Sequence, residues 1–389
     1  MEGAITLNSK PVEGNILVIN TGSTSSKFGY YKDGVQVCGS QIDHSKAEIE
    51  KATDFAAQLA IRNAAVSKFL EENHIPLEEI DLIMGRGGQM RPILPGVYSV
   101  NADMREVLIS YRDGKHASSL SPVMADDLAG EINKVRKAKG IKGRYGECKA
   151  YIADSTTSDE MLPEYRLYGV PEFKRESLYH ALNSRAVVRK YLADIGFEKN
   201  NKNIIVCHMG GGVTISMHQN GRVIDSTHGL DGDGPITPER SGTCPALPLV
   251  EMCFSGKYTE KEIRNKIVGG GGAVAYFGTN DMRVVEAKAK EGVPEYKLFM
   301  EAFVLNIAKY IAALTVDVYG KVDALLFTGG IAYSKYITDA IIKRVGHLFP
   351  DIRIYPGENE IRSLAENGYM VLSGKVKAKT YNKNKLIED

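Results

Sequence analysis

Residues 15–32 read NILVINTGSTSSKFGYYK and residues 203–220 read NIIVCHMGGGVTISMHQN, so one pattern occurs twice without a gap, 188 residues apart. Asn, Ile, Val and Gly recur at 15/203, 16/204, 18/206 and 22/210, and a one-residue slip then brings Gly34 onto Gly221. Each copy reads as a buried strand, a tight glycine loop, a second strand and a short hairpin turn. A second echo pairs DLIMGRGG (81–88) with DALLFTGG (323–330), both short apolar strands ending in Gly-Gly. A chain that repeats a hairpin and a following strand must fold as two related units. The hairpin and the strand lie 66 residues apart in the front half and 120 in the back half, so the second unit carries about 54 extra residues.

Helical periodicity fills the intervals. The spacing predicts helices over 51–74, stopped by Pro76, over 177–196, capped by Ser177 and ended by Gly196, and over 336–349, with a further helix opening the tail near Glu360. Strands alternating with helices give α/β sheets covered by helices. Residues 1–14 are expected to be a loose leader, 15–183 the first α/β domain with a C-terminal helix of about 360–389 returning to it, and 184–359 the second domain. The formal net charge of +1 gives no support for general attraction to nucleic acid or membrane. Five scattered cysteines without a C-x-x-C pair read as reduced cytoplasmic thiols rather than a disulfide frame or zinc site. The N-terminus lacks a secretory pattern, and charged residues interrupt the longest apolar helix, so no membrane span is expected.

Three loops carry the candidate chemistry. The first, NTGSTSSK, offers Asn20, Gly22, Ser23, Ser25 and Lys27. Bare backbone, hydroxyls and a cation suit anionic oxygens, although the stretch alone also reads as a plain solvated turn. No Walker pattern is present. The second loop, HMGGGVT, places His208 where the first copy has Asn20, and its Gly210, Gly211 and Gly212 suit a backbone passing close to a bulky anion. The third, FTGGIAYS, ends a strand at Gly329 and Gly330, next to Ile331. Its flat surface suits a base or ribose, or simply a strand-to-helix turn. Arg86 among glycines at a strand end and Arg240 in the inserted loop are candidate anion binders. Asp154, after the strand KAYIAD, is a candidate metal ligand. His180 on its own reads as an ordinary helix histidine.

Taken together, ILVINTGSTSSK, HMGGG and FTGGI, in that order, resemble the acetate/butyrate kinase family of the actin-like ATPase superfamily, over nearly the whole chain from Asn15. The resemblance implies a duplicated two-domain, ribonuclease H-like α/β fold around a central ATP cleft, with the two hairpins facing each other across it. It implies phosphoryl transfer from ATP to a short-chain fatty acid, ATP/ADP and Mg²⁺ at the site, a homo-oligomer, and no nucleic-acid or membrane partner. Asn20, Asp154 and Glu360 (less securely Glu358) are then assigned to the metal, and Arg86 and Arg240 to the carboxylate and the transferring phosphoryl. His180 goes to the transition state, and His208 with Gly210–Gly212 to the ATP phosphates. Adenosine falls to Asp281, Arg283, Gly329, Gly330 and Ile331. Within the family the chain is similar to the butyrate kinase branch. It lacks the paired valines that acetate kinases carry near GRGG, has Ser184 for a second histidine, and has Gly211 where they have asparagine. Tyr179 stands where those enzymes place phenylalanine. Acetate, propionate or branched acids, a sugar hydroxyl, and a non-catalytic ATP-binding module remain the alternatives.

Overall fold

The computed structural model describes residues 4–7, 10–22, 25–196, 201–230 and 232–385. The chain forms two compact units, 1–158 with 359–389, and 159–358.

In the first unit the central sheet contains β1 (Asn15–Thr21), β2 (Ser25–Lys32), β3 (Val35–Asp43), β4 (Leu82–Arg86) and β5 (Lys149–Ala153), in the order β3-β2-β1-β4-β5. The first three are antiparallel neighbours, and β4 and β5 run parallel to β1. Short strands Val97–Ser99 and Lys379–Thr380 extend the far edge. All seven residues of β1 are buried, as expected of a strand covered on both faces. Leu17 and Ile19 face a core with Phe69 of the helix Phe55–Glu72 and Val123 of the helix Leu120–Lys139. On the opposite face the helix Glu360–Leu372 lies against the sheet, so close that a Cβ on Gly368 would meet Ile16 at 2.8 Å. Its Tyr369 hydroxyl accepts from Gly34 N (2.9 Å) and donates to Gly14 O (3.1 Å).

Within the second unit β6 (Asn203–Met209), β7 (Val213–Gln219), β8 (Arg222–Ser226), β9 (Ala324–Gly329) and β10 (Ile352–Pro356) follow the same order, β8-β7-β6-β9-β10, with the same directions. Ile205 and Cys207 face a core with the helix Pro294–Leu314, while Ile204 and Val206 face the helix Ala181–Asp194. Among the described residues one stretch, Pro294–Val318, is long and apolar enough to cross a membrane. Its Phe303, Ile307 and Ile311 are fully buried in this core, which accounts for its apolar character.

The repeated identities have a shared cause. Asn15 N donates to Asp81 Oδ2 (2.9 Å) and Asn203 N to Asp323 Oδ2 (2.8 Å). The returning bonds, Asp81 N to Asn15 O and Asp323 N to Asn203 O, measure 2.9 and 2.7 Å. Each Asn–Asp pair therefore sets the parallel register, Ile16 opposite Leu82 and Ile204 opposite Ala324. The hairpin turns also match: Asp33-Gly34 and Asn220-Gly221 all have positive φ, as a two-residue type I′ turn requires.

Several sequence expectations need correction. The one-residue slip lies in the glycine loop, not beyond residue 32. Thr21 pairs with Ser26 around residues 22–25, whereas Met209 pairs with Val213 around only 210–212. The segment before β1 is not loose where described: Ile5 and Val12 are buried, and Ile5 N donates to Gly34 O (2.8 Å). The first long helix starts at Phe55, where Asp54 caps it, with a separate short helix Lys46–Lys51 ahead of it. The helix expected from Ser177 starts at Ala181, because Ser177 N is held by Asp159 (3.4 Å) and His180 is held by Thr214.

Candidate active site

In the first unit the polar end of β1 meets the ends of β4 and the helix 360–372. Asn20 Nδ2 donates to Glu360 Oε2 at 2.6 Å. Arg86 Nη1 reaches Asn20 Oδ1 (3.4 Å) and lies 3.5 Å from Glu360 Oε2. Glu360, rather than Glu358, therefore joins Asn20 and Arg86. The glycines around Arg86 are packing requirements. A Cβ on Gly87 would meet Ser155 Cα at 2.9 Å, and one on Gly88 would meet Ser119 Cα at 2.6 Å.

Asp154 follows Ala153, the β5 partner of Arg86. It is buried at φ 41° and accepts from Gly96 N (3.0 Å). A non-glycine residue there costs about 1 kcal/mol or more and marks a position the surroundings enforce. Asn20, Asp154 and Glu360 offer hard oxygen donors. No group of three or more His, Cys, Asp or Glu forms a metal cage among the described residues. Magnesium takes one or two carboxylates and completes its shell with water and phosphate, so this sparse set fits it.

The first glycine loop closes with Gly22 N donating to Ser25 O (2.7 Å), and Lys27 sits opposite Asn20 on β2. Ser23 lies outside the described residues. Sequence reasoning missed Arg62, a guanidinium with no solvent exposure whose Nη2 donates to Gly22 O (3.1 Å). Its position on the apolar stripe of its helix, between Leu59 and Val66, was the available signal.

The second unit gathers His180, His208, Arg240 and the three glycines. His208 on β6 faces Thr214 on β7 across the ladder. Thr214 Oγ1 is 2.8 Å from His180 Nδ1, and the His180 ring stacks on His208 with centroids 3.8 Å apart. His208 is buried, and its Nδ1 donates to Asn183 Oδ1 (2.9 Å). Arg240 lies directly over the loop, since a Cβ on Gly212 would be 1.9 Å from its Nη1. Its Nε is buried without a hydrogen-bond partner. Burial pulls its pKa down, and Glu239 opposes this. The run Gly269–Gly272 supports this arginine's loop. Gly269 N and Gly271 N both donate to Glu239 O (2.8 and 3.2 Å), and a Cβ on Gly272 would strike Thr237 O.

A cavity of about 960 Å³ opens beside this loop, with Gly210, Gly211, Asp281, Arg283, Gly330 and Ile331 among its walls. Gly329 needs its φ of 87° and its bare Cα, since a Cβ would meet Met209 O at 2.3 Å, whereas Gly330 has open space above it. Asp281 Oδ2 accepts from Arg283 Nη2 (2.7 Å) and Oδ1 from Nε (2.9 Å), which fixes the guanidinium plane at the wall. The Arg283 hydrogen bonds pull the Asp281 carboxyl down to about 2. Tyr179 is buried with Ala181 and Val223.

The family model described as the Acetokinase family matches residues 152–369. The chain is 41% identical over 366 residues to butyrate kinase 2 of Clostridium acetobutylicum, covering 94% of this chain and 99% of the relative. It is 40% identical, with the same coverage, to a probable butyrate kinase of Phocaeicola vulgatus. The crystal structure of acetate kinase from Entamoeba histolytica superposes with a TM-score of 0.72 at 17% identity, over 92% of this chain and 100% of that one, which fixes the fold as actin-like ATPase. The chain belongs to the acetokinase family.

Proposed function

We propose that this protein transfers the terminal phosphoryl group of ATP to the carboxylate of butyrate, giving butyryl phosphate and ADP, and runs the reaction in reverse. The similarity to butyrate kinases over nearly the full length of both chains supports the acyl preference. Supporting the chemistry is Arg240, laid over the bare turn 210–212 with a buried Nε that lacks a partner. A buried donor of this kind calls for an anionic acceptor.

A carboxylic acid is already ionised near neutral pH, by analogy with side-chain carboxyls of pKa ~4, so the nucleophile needs no general base. The difficulty is bringing that anion to a triphosphate. In the proposed step a butyrate oxygen attacks the γ-phosphorus in line. The bond to the bridging oxygen breaks, ADP leaves with the electron pair, and no proton moves. Arg86 holds the carboxylate, while Arg240 and His180 stabilise the equatorial oxygens. His208 and the backbone of 210–212 bind phosphates, as do Gly22, Ser23, Ser25 and Lys27 from the first loop. The fixed Arg283 plane and the open face of Gly330 and Ile331 take adenosine. Asn20, Asp154 and Glu360 would hold Mg²⁺, which when bound neutralises phosphate charge.

We also propose a cytoplasmic homo-oligomer. The five cysteines are free thiols. The helix Ala246–Phe254 has no buried residue, with Leu247 75% and Phe254 87% exposed, a surface suited to a second copy.

The test is ADP release with acetate, butyrate, isobutyrate and glucose as acceptors. The proposal expects turnover on carboxylic acids, with butyrate preferred. Turnover on glucose alone, or on no acceptor, would overturn it.

A further inference from the structure

His208 presents an unusual donor. Its side chain is 1% exposed, and its Nε2 is buried without an aligned hydrogen-bond partner. Glu358 Oε1 lies 3.1 Å away, close in distance but outside hydrogen-bond alignment. The Asn183 oxygen on the other side of the ring only accepts, which places a hydrogen on Nδ1. A bare Nε2 lone pair facing a carboxylate at 3.1 Å would be repelled, so Nε2 also carries a hydrogen. Were the Asn183 amide turned about, its Nδ2 would donate to Nδ1, and the hydrogen would still be on Nε2. Either arrangement puts a hydrogen on Nε2, with the Glu358 carboxylate 3.1 Å away and off its axis.

The place Glu358 occupies matters. A Cβ on Gly210 would lie 3.1 Å from Glu358 Oε1 and 3.3 Å from His208 Nε2, so carboxylate and imidazole meet above the first glycine of the turn. Gly210 and Gly211 are also walls of the large cavity. Glu358 is anchored from behind: Gly329 and Gly357 exchange backbone hydrogen bonds (3.1 and 2.9 Å). Its side chain is one-third exposed.

We propose that Glu358 is a positioning residue that stands in for a nucleotide phosphate. Its carboxylate lies beside His208 Nε2–H in the empty protein, off the donor's axis, and gives way to a phosphate oxygen on that axis when nucleotide binds. Asn183 locks the ring from its other nitrogen, so the exchange needs no reorientation of the imidazole. Two anions cannot share one donor, so Glu358 lowers affinity for phosphates and leaves affinity for an unphosphorylated nucleoside untouched. The inference rests on the nucleotide reading given under Proposed function.

The experiment is calorimetric titration of the full chain and of Glu358→Ala and Glu358→Gln, with ADP and with adenosine, each with and without Mg²⁺. The two variants guard against a folding defect in either one. Removing the charge is expected to tighten ADP roughly two- to fivefold, as for a partly exposed ion pair, with adenosine unchanged. In the ¹⁵N spectrum of His208, ADP should shift Nε2 in the parent protein while Nδ1 stays put. ADP affinity unchanged or weaker in both variants would overturn the inference alone, as would a loss confined to the Mg²⁺ titrations, which would make Glu358 a metal ligand. Failure of the parent protein to bind ADP would overturn the nucleotide reading and this inference with it.

Discussion

Gly212 offers the most selective perturbation of the proposed chemistry. Its added Cβ would lie 1.9 Å from Arg240 Nη1, 2.7 Å from Cζ and 3.0 Å from Nη2. Carbon contacts relax only near 3.4 Å, so in Gly212→Ala the guanidinium must retreat by about 1.5 Å. The obstacle is the far end of a flexible side chain, and Gly212 has no positive φ to strain, so the fold should tolerate the change. A misplacement of about 1 Å costs a positioned group on the order of 10² in rate, and loss of one preorganised donor about 10²–10³. Gly212→Ala should therefore keep its melting temperature within a few degrees while kcat falls about 100-fold. Gly211→Ala is the control: its Cβ would meet nothing closer than 3.7 Å, at Glu239, so it should lose far less. Steady-state kinetics with thermal melts read both variants. A Gly212→Ala enzyme with kcat within threefold of the parent would refute the placement of Arg240 at the reacting phosphoryl.

Arg86→Ala and Arg240→Ala should retain ATP binding by calorimetry yet lose about 10²–10³ in turnover, and weakened nucleotide affinity with intact turnover at saturating ATP would contradict the role assignment. Straight-chain acids should give kcat/KM about tenfold higher for butyrate than acetate, since two more buried methylenes contribute about 1–2 kcal/mol after allowing for imperfect burial, and a steady fall from acetate onward would refute a longer pocket. Burial first, and then Asp225, push the Asp317 carboxyl up to about 7. Its folded pKa thus exceeds the unfolded value, so the folded state holds the extra proton and loses stability as pH rises from about 4 to 7. Asp317→Asn should therefore raise the melting temperature at pH 8, by about 1–2 kcal/mol of stability after discounting for solvent screening, and change it little at pH 4; an equal gain at both would refute this.

The parts legible in sequence were those whose cause is local or repeated. Asn15 and Asn203, with Asp81 and Asp323, recur because each pair sets the same strand register, and that made the duplication visible. The Asp-Gly and Asn-Gly turns follow from backbone conformation alone. Other features depend on contacts distant in sequence. Nothing near Gly212 announces Arg240, nothing near Gly269–Gly272 announces the loop they support, and Arg62 reaches Gly22 from 40 positions away. Ser177 looked like a helix cap because cap propensity is local. Asp159 and Thr214 outcompeted it through tertiary hydrogen bonds, which left His180 at the helix start. The gapless match places the similar residues Ser26 and Thr214 together, whereas in the ladders Lys27 lies opposite Asn20 and Thr214 opposite His208, a longer loop in the first copy that only the strand pairing reveals.

The most direct test of the central claim is to trap the product. Incubating the protein with ATP, Mg²⁺, butyrate and hydroxylamine should form butyrohydroxamate in step with ADP, because an acyl phosphate is attacked by hydroxylamine and a free acid is not. Hydroxamate equal to ADP is the predicted result, and ADP released without hydroxamate would contradict transfer to the carboxylate.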